Sequence, residues 1–542
     1  MSIAPQPPSA QGVDRAHAEP RTQGHGAART ELRVQMGWLL RSWRRHGPYA
    51  DPEALAAALT EAGTPADAAA LGRWEAGISP AGHAVVRTME DVIGLRAGHL
   101  ADLAGYVHAF LPGLPPAWGR PVVDPAAEGY AERVGEVAAA LLDAEPDDAG
   151  TTLRAAVDLG HLLAAARRAE QSGDGPPTDA LLPDETWAGL AACLVWALPR
   201  GVRGAHRAIM QSAHVLCGIP AAGVHVVQQL RTYLADPAAQ VLSLPIAMLD
   251  RIPSTAAADL TLDLLEEGFE ERDLRAAVWV AAQKLRRGDF DAAQRARLDL
   301  LLLSKWRSNN QATPQDFAEL ISVMPEQLRQ TFTKAATQVG RTEVAQALRS
   351  GELMPAEQAQ AVATAFARGV LVRTGESADE VDPVLVGLLR EAMFDLASDR
   401  RHLAAIVLAC SPYADAVATA SLDLLTRDDV PELLRSHAAQ LVQYTVDDVH
   451  RTRLHGLLAD RGDEIAFAAV VALGHLRFHR VSDLELRRQL AGLERDQARA
   501  CLYSLGMTGS PALKNLAAGR NGTPAWQQAA AAWWLRMGSA LH

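Results

Sequence analysis

An all-α fold is what the sequence predicts, and three observations predict it. Apolar residues recur at i, i+3 and i+4 through almost every segment after Glu31, while sustained alternation is almost absent. The segments break at short clusters of Gly, Pro and Asp, among them "QSGDGPPTDALLPDE", "GIPAAG", "LADPAAQ" and "RTGESADEVDP", residues that favour turns over helix continuation. No phosphate-binding loop, no GxGxxG after a strand and no strand–helix alternation interrupts the pattern. Leu153 to Ala169, Val202 to Cys217, Asp273 to Arg287 and Ala356 to Val372 are the clearest helical stretches.

Taken in order, residues 1–30 are rich in Pro, Gly, Gln and Ala and have no apolar core segment, which predicts a disordered leader rather than a signal peptide. Residues 31–105 divide into four or five short helices. The first runs from Leu32 to His46 and ends at Gly47-Pro48. Asp51-Pro52, a capping residue followed by Pro at the first helical position, opens a second that reaches about Glu61. After the turn Gly63-Thr64-Pro65, Asp67 caps a third helix through Glu75, with Gly77 placed for a left-handed C-terminal cap. Val85 to Ile93 forms a fourth, and "GLRAGHL" leads into a fifth.

This order, with Leu40-Arg41-x-x-Arg44, Leu55-Ala56, Leu71-x-Arg73-Trp74-Glu75-x-Gly77 and "VVRTMEDVIGLRAGHL", resembles the lambda-repressor-like (Xre-type) helix-turn-helix that opens long actinobacterial regulators. The resemblance implies that the third helix enters the major groove of double-stranded DNA. It also implies that Arg73 faces a phosphate, that Trp74 packs in the core, and that Glu75 pairs with a first-helix arginine. Asp67, Ala68, Ala69 and Ala70 fall at the start of the recognition helix, and Arg41, Arg44, Arg45, His46, Arg73 and Arg87 are the expected cationic contacts. The implied protein is a transcriptional regulator whose helical remainder dimerises and binds a small-molecule, peptide or protein effector.

Two departures from the family pattern support an alternative, an interaction scaffold whose helix-turn-helix no longer reads DNA. Alanine can touch a thymine methyl, but it cannot form the bidentate bonds worth ~1–3 kcal/mol each that identify a base, and Asp67 repels phosphate. The turn from Leu59 to Asp67 is also long for the family, and Gly77-x-x-Pro80 is one residue short of its usual spacing.

Residues 106–394 are predicted helical without a clean period. In residues 395–542, Leu408, Leu441, Leu473, Leu505 and Leu535 recur at spacings of 33, 32, 32 and 30 within similar Ala-rich motifs. Helix pairs at this period stack because one hairpin cannot bury its own apolar face. The Leu473-Gly474 and Leu505-Gly506 endings resemble HEAT repeats, which implies a solenoid in at least the last third of the chain.

Composition bounds what else the chain can be. The net charge is −12. Residues 1–105 hold 10 Arg and 11 Asp or Glu, leaving about −11 to the rest, so nucleic acid is not expected along the array. Cys193, Cys217, Cys410 and Cys501 lack ligand spacing and are expected as reduced, buried thiols of a cytoplasmic protein. The longest apolar run, Trp187 to Leu198, has 12 residues, too few for a bilayer. His475 and His479 stand at i, i+4 but have no third ligand nearby, and His206 and His214 lie too far apart along a helix to share a metal. No His-Glu dipeptide occurs, and no nucleophile–base pattern stands out. The expectation is a non-enzyme without cofactor or metal, its Trp533-Trp534 pair packing in the terminal cap.

Overall fold

The structure, a computed structural model, describes residues 32–110, 124–144, 149–267, 271–307, 314–427, 429–460, 463–476, 490 and 495–541. The expected leader, residues 1–30, and His479 lie outside them. Among the described residues the regular structure is helical, and extended pairing is limited to two isolated bridges.

The N-terminal helices are α1 (Leu32–His46), α2 (Pro52–Glu61), α3 (Ala68–Glu75), α4 (His83–Ile93) and α5 (Ala101–Phe110). Local chemistry sets their limits. Asp51 accepts a hydrogen bond from the Ala54 N–H at the start of α2, and Asp67 accepts one from the Ala70 N–H at 2.6 Å to start α3. Gly77 lies just past α3 with φ +67°, a left-handed conformation open mainly to glycine. Gly37 lets α1 cross the end of α3 closely: a Cβ there would stand 2.5 Å from the Trp74 carbonyl oxygen. α5 runs through residue 105, so the boundary expected there falls inside a helix. It packs on a helix of the central region, which ties the two segments together.

The central region comprises α6 (Tyr130–Leu142), α7 (Ala149–Ser172), α8 (Asp184–Ala197), α9 (Arg203–Cys217), α10 (Pro220–Leu234), α11 (Ser243–Met248) and α12 (Thr255–Glu267). It continues through α13 (Glu271–Arg287), α14 (Ala292–Arg307), α15 (Pro314–Ser322), α16 (Glu326–Gln338) and α17 (Thr342–Ser350), then α18 (Ala356–Thr374) and α19 (Pro383–Phe394). Alternate helices stack, α7 on α9, α8 on α10, α11 on α13 and α13 on α15. The described part of the C-terminal region holds α20 (Ser398–Ala409), α21 (Ala414–Leu425), α22 (Glu432–Thr445), α23 (Arg451–Asp460) and α24 (Asp463–Gly474). It ends with α25 (Arg495–Met507), α26 (Ala512–Ala517) and α27 (Ala525–Met537).

In this last region α20, α22, α24, α25 and α27 stack one on the next. Leu408, Leu441, Leu473 and Leu505 sit in the first four of these and are at most 1% exposed. The fifth position breaks the register, because Leu535 is 42% exposed and the neighbouring Trp534 takes the interior place. Trp533 and Trp534 are both buried, meeting edge to face at 4.9 Å. Gly506 lies under the Trp534 ring with no room for a Cβ, so close approach at the Leu-Gly ending is real.

The array also returns to meet itself. The Leu541 N–H donates to the Arg200 carbonyl at 2.8 Å and the Val202 N–H to the Leu541 carbonyl at 3.1 Å, a parallel bridge. Arg536 pairs with Asp236, and Trp533 meets Tyr233 edge to face. One contiguous buried apolar cluster takes in Leu39, Leu55, Leu59 and Leu71 of the N-terminal helices together with most of the array. No single helix among the described residues is long and apolar enough to cross a membrane. All four cysteines are unbridged; Cys217, Cys410 and Cys501 are buried and Cys193 is half-buried.

Candidate functional site

Of the six cations expected to contact DNA, four lie against carboxylates of the molecule: Arg41, Arg44, His46 and Arg87. Arg44 is buried in a bidentate pair with Glu75, Nε to Oε1 at 2.6 Å and Nη2 to Oε2 at 2.8 Å, and also donates to the Ala50 carbonyl. The hydrogen bond to Glu75 raises the Arg44 pKa above its usual value. This is the pairing expected from the family resemblance, and it removes Arg44 from the surface. Arg41 reaches across to α19 and bonds Asp382 at 2.7 Å. Asp382 meanwhile caps that helix through the Val384 N–H. Arg87 lies 3.2 Å from Glu90, a fully buried carboxylate that also accepts the N–H groups of Gly98, Leu100 and Ala101. Glu90 thereby fixes the turn into α5.

The Arg45 and Arg73 side chains are exposed, with no hydrogen bond or ion pair to a described residue. The exposed face of α2 and α3 carries Glu53, Glu61 and Asp67 beside Arg73, with Ala69 exposed and Ala68 and Ala70 half-buried. Trp74 is half-buried against the core.

α1 is docked on α19 and α20 instead of standing clear of the body. The Gln35 amide donates to Glu391 at 2.9 Å, Trp38 stacks on Tyr413 with centroids 5.9 Å apart, and His46 lies 3.1 Å from Glu376. The Cys410 carbonyl accepts from Trp43 Nε1 at 2.7 Å and from His99 Nε2 at 3.0 Å. A carbonyl only accepts, so His99 carries its proton on Nε2. Burial, first among the causes, lowers the His99 pKa and keeps the ring neutral.

The loop that Glu90 holds in place forms one wall of a cavity of about 2300 Å³. Trp43, Arg87, Arg96, Gly98, His99 and Asp102 line this side. α7 contributes Arg154 and Asp158, and the start of α9 contributes Arg203 and Arg207. The opposite wall has a regular origin. The residues six before each buried leucine, His402, Arg435, Phe467 and Arg499, all face the cavity. So do those two before, Ile406, Ala439, Val471 and Tyr503. One helical face, repeated in four stacked helices, builds the wall.

Charge is distributed unlike the rest of the molecule. Eight arginines line the cavity, the last being Arg275, against the five carboxylates Asp102, Asp158, Asp415, Glu432 and Asp447. The lining is net positive inside a chain of net charge −12. Arg203 pairs with Asp447 at 3.2 Å and donates to the Val446 carbonyl, bridging α9 to the end of α22. Its φ of +53° is the only positive value at a non-glycine among the described residues, a strained backbone that persists only where surroundings hold it. The Arg207 and Arg435 side chains make no hydrogen bond or ion pair to a described residue, and Arg207 Nε is buried.

Two neutral histidines, His402 and His206, line the cavity. His402 lies 2.9 Å from Tyr106 Oη through Nε2 and 2.8 Å from Tyr444 Oη through Nδ1, and its ring meets His206 edge-on. Burial pulls His402 down to about 4 and His206, further opposed by His402, to about 3. Tyr444 is pushed up to about 12 by burial. His475 bonds Tyr503 at 2.8 Å. No cluster of three His, Cys, Asp or Glu suited to a metal occurs among the described residues.

Sequence reasoning missed this wall. The signal was present, because the register that locates the buried leucines also locates His402, Arg435, Phe467 and Arg499 on one face. No protein-family model matches the chain, and comparison with curated proteins returns no match.

Proposed function

We propose that this chain is a non-catalytic α-helical interaction protein, a HEAT-like array that carries an Xre-type helix-turn-helix as part of its own body and not as a DNA reader. One observation carries the reading: three of the five arginines expected to meet phosphate already lie against carboxylates within the molecule. Arg44 is held by Glu75, Arg41 by Asp382 and Arg87 by Glu90. Binding to a duplex is dominated by cations set against phosphate, and the exposed α2–α3 face sets Glu53, Glu61 and Asp67 against Arg73. The docking of α1 on α19 and α20 supports the same reading, since the module has no independent freedom to track a groove.

A second reading, the DNA-binding regulator, is favoured by the exposure of Arg45 and Arg73 and by the outward face of α3. Titration of the full chain with fluorescent genomic fragments at low and physiological salt, beside Arg45→Ala/Arg73→Ala, separates the two. The scaffold reading expects weak binding that disappears as salt rises and that the double variant hardly changes. Saturable binding to a few fragments that persists at physiological salt and is lost in the variant overturns it in favour of the regulator.

A further inference from the structure

We propose that the central cavity is a binding site for an organic polyanion, a molecule bearing several phosphate or carboxylate groups on an aromatic or apolar body, with Arg207 and Arg435 as its main cationic contacts. The proposal holds whichever way the DNA titration falls.

The first argument is electrostatic. A chain of net charge −12 turns a net-positive lining inward. Clefts lined by one sign of charge with low-dielectric walls focus the field and concentrate the opposite ion. Setting aside the Arg203–Asp447 pair within the lining and Arg87, held by Glu90, six arginines face four carboxylates, of which Asp415 lies 3.3 Å from His450.

The second argument is satisfaction. Arginines inside proteins are normally paired, because a desolvated guanidinium without partners is expensive. Arg207 lines the cavity with its Nε buried and unbonded, and Arg435 lines it with no partner among the described residues. Guanidinium groups match phosphate and carboxylate in bidentate geometry, so two of them lining one cavity suit a ligand with more than one anionic group.

Chemistry near the arginines narrows the class. Phe467, Tyr503 and Trp43 offer aromatic surface on the same cavity, which suits a ligand with an apolar or ring-bearing body. At about 2300 Å³ the space exceeds the ~300–1,000 Å³ of ordinary small-molecule sites, so it accommodates the whole of such a ligand. The first turn of α9 opens on the same space and has no side-chain cap. Its unsatisfied N–H groups add to the favourable field.

The test is isothermal titration calorimetry of the full chain at low salt with three probes: inorganic tripolyphosphate, ATP and benzenehexacarboxylate. At least one is expected to bind at one equivalent. Arg207→Ala/Arg435→Ala is expected to weaken it at least tenfold, Arg207→Lys/Arg435→Lys to keep part of the affinity, and Arg45→Ala/Arg73→Ala to leave it unchanged. Response to tripolyphosphate and ATP without benzenehexacarboxylate supports a phosphate ligand, and the reverse supports a polycarboxylate. No binding of any probe at millimolar concentration overturns the proposal. So does undiminished binding in the alanine variant with native circular dichroism. Should that variant fail to fold, Arg154→Glu at the cavity wall carries the test, with unchanged affinity counting against the site.

Discussion

Two sets of arginines in this molecule are treated oppositely. On the N-terminal helices, Arg41, Arg44 and Arg87 each meet a carboxylate, so the surface that resembles a DNA-reading module keeps little positive charge. In the cavity, Arg207 and Arg435 meet none. The difference teaches that resemblance locates a fold, whereas the unbalanced charge locates where a partner is needed. Arg41, Arg44 and Arg87, which the family pattern singles out, serve assembly, whereas Arg207 and Arg435, which it does not, face the cavity without a carboxylate.

The largest effect expected from breaking this comparison is at the Arg44–Glu75 pair. Removing one partner leaves a charge buried with its complement gone, and Arg44→Ala or Glu75→Ala is expected to destabilise the chain by about 3–5 kcal/mol, measured by urea unfolding. Replacing both by apolar residues, Arg44→Met/Glu75→Leu, is expected to recover most of that loss. If the single variants unfold like the wild type, the pair does not hold the module together.

Next comes the crossing of α1 and α3. Gly37→Ala places a methyl against the Trp74 and Glu75 carbonyls, and overpacking of this kind costs about 1–3 kcal/mol. Hydrogen exchange confined to residues of the N-terminal helices is the appropriate readout, because faster exchange throughout the array instead shows that module and body open as one unit.

A pH dependence follows from the neutral histidines. His402 and His206 have folded pKa values near 4 and 3, below the ordinary histidine value. The unfolded chain therefore binds protons that the folded chain refuses, so stability is full above about pH 6.5 and falls as pH drops toward 4. Thermal midpoints measured across that window should decline, and His402→Gln, which cannot titrate, should flatten part of the slope. A slope unchanged in the variant excludes His402 as a contributor. The smallest effect is expected at the half-exposed Arg41–Asp382 pair, where Arg41→Ala costs no more than about 1 kcal/mol and weakens further as an effect when salt is raised.

Much of the N-terminal region was legible because its signals are local. Asp51, Asp67 and Gly77 cap or close helices within a few residues of where they stand, and the helix limits match. The pairing of Glu75 with a first-helix arginine was legible through the family pattern. The docking of α1 was not, since Gln35 meets Glu391 and Trp43 meets Cys410 across more than three hundred residues, a distance over which periodicity carries no information. The repeat was legible through four leucines and misled at Leu535, which is exposed while the neighbouring Trp534 fills the interior. Arg435 and Arg499 share one wall through the stacking of their helices, a relation between segments that no local signal in either helix announces.

The pairing of Leu541 with Arg200 and Val202 has a mechanical meaning. An open stack of helices behaves like a spring, and small rotations between neighbours add up to changes of curvature. Joining its last residues to its interior converts the spring into a hoop, in which a change at one joint must be absorbed by all the others. The bridge sits one residue from Arg203, so the start of α9 that lines the cavity is tied to the far end of the stack.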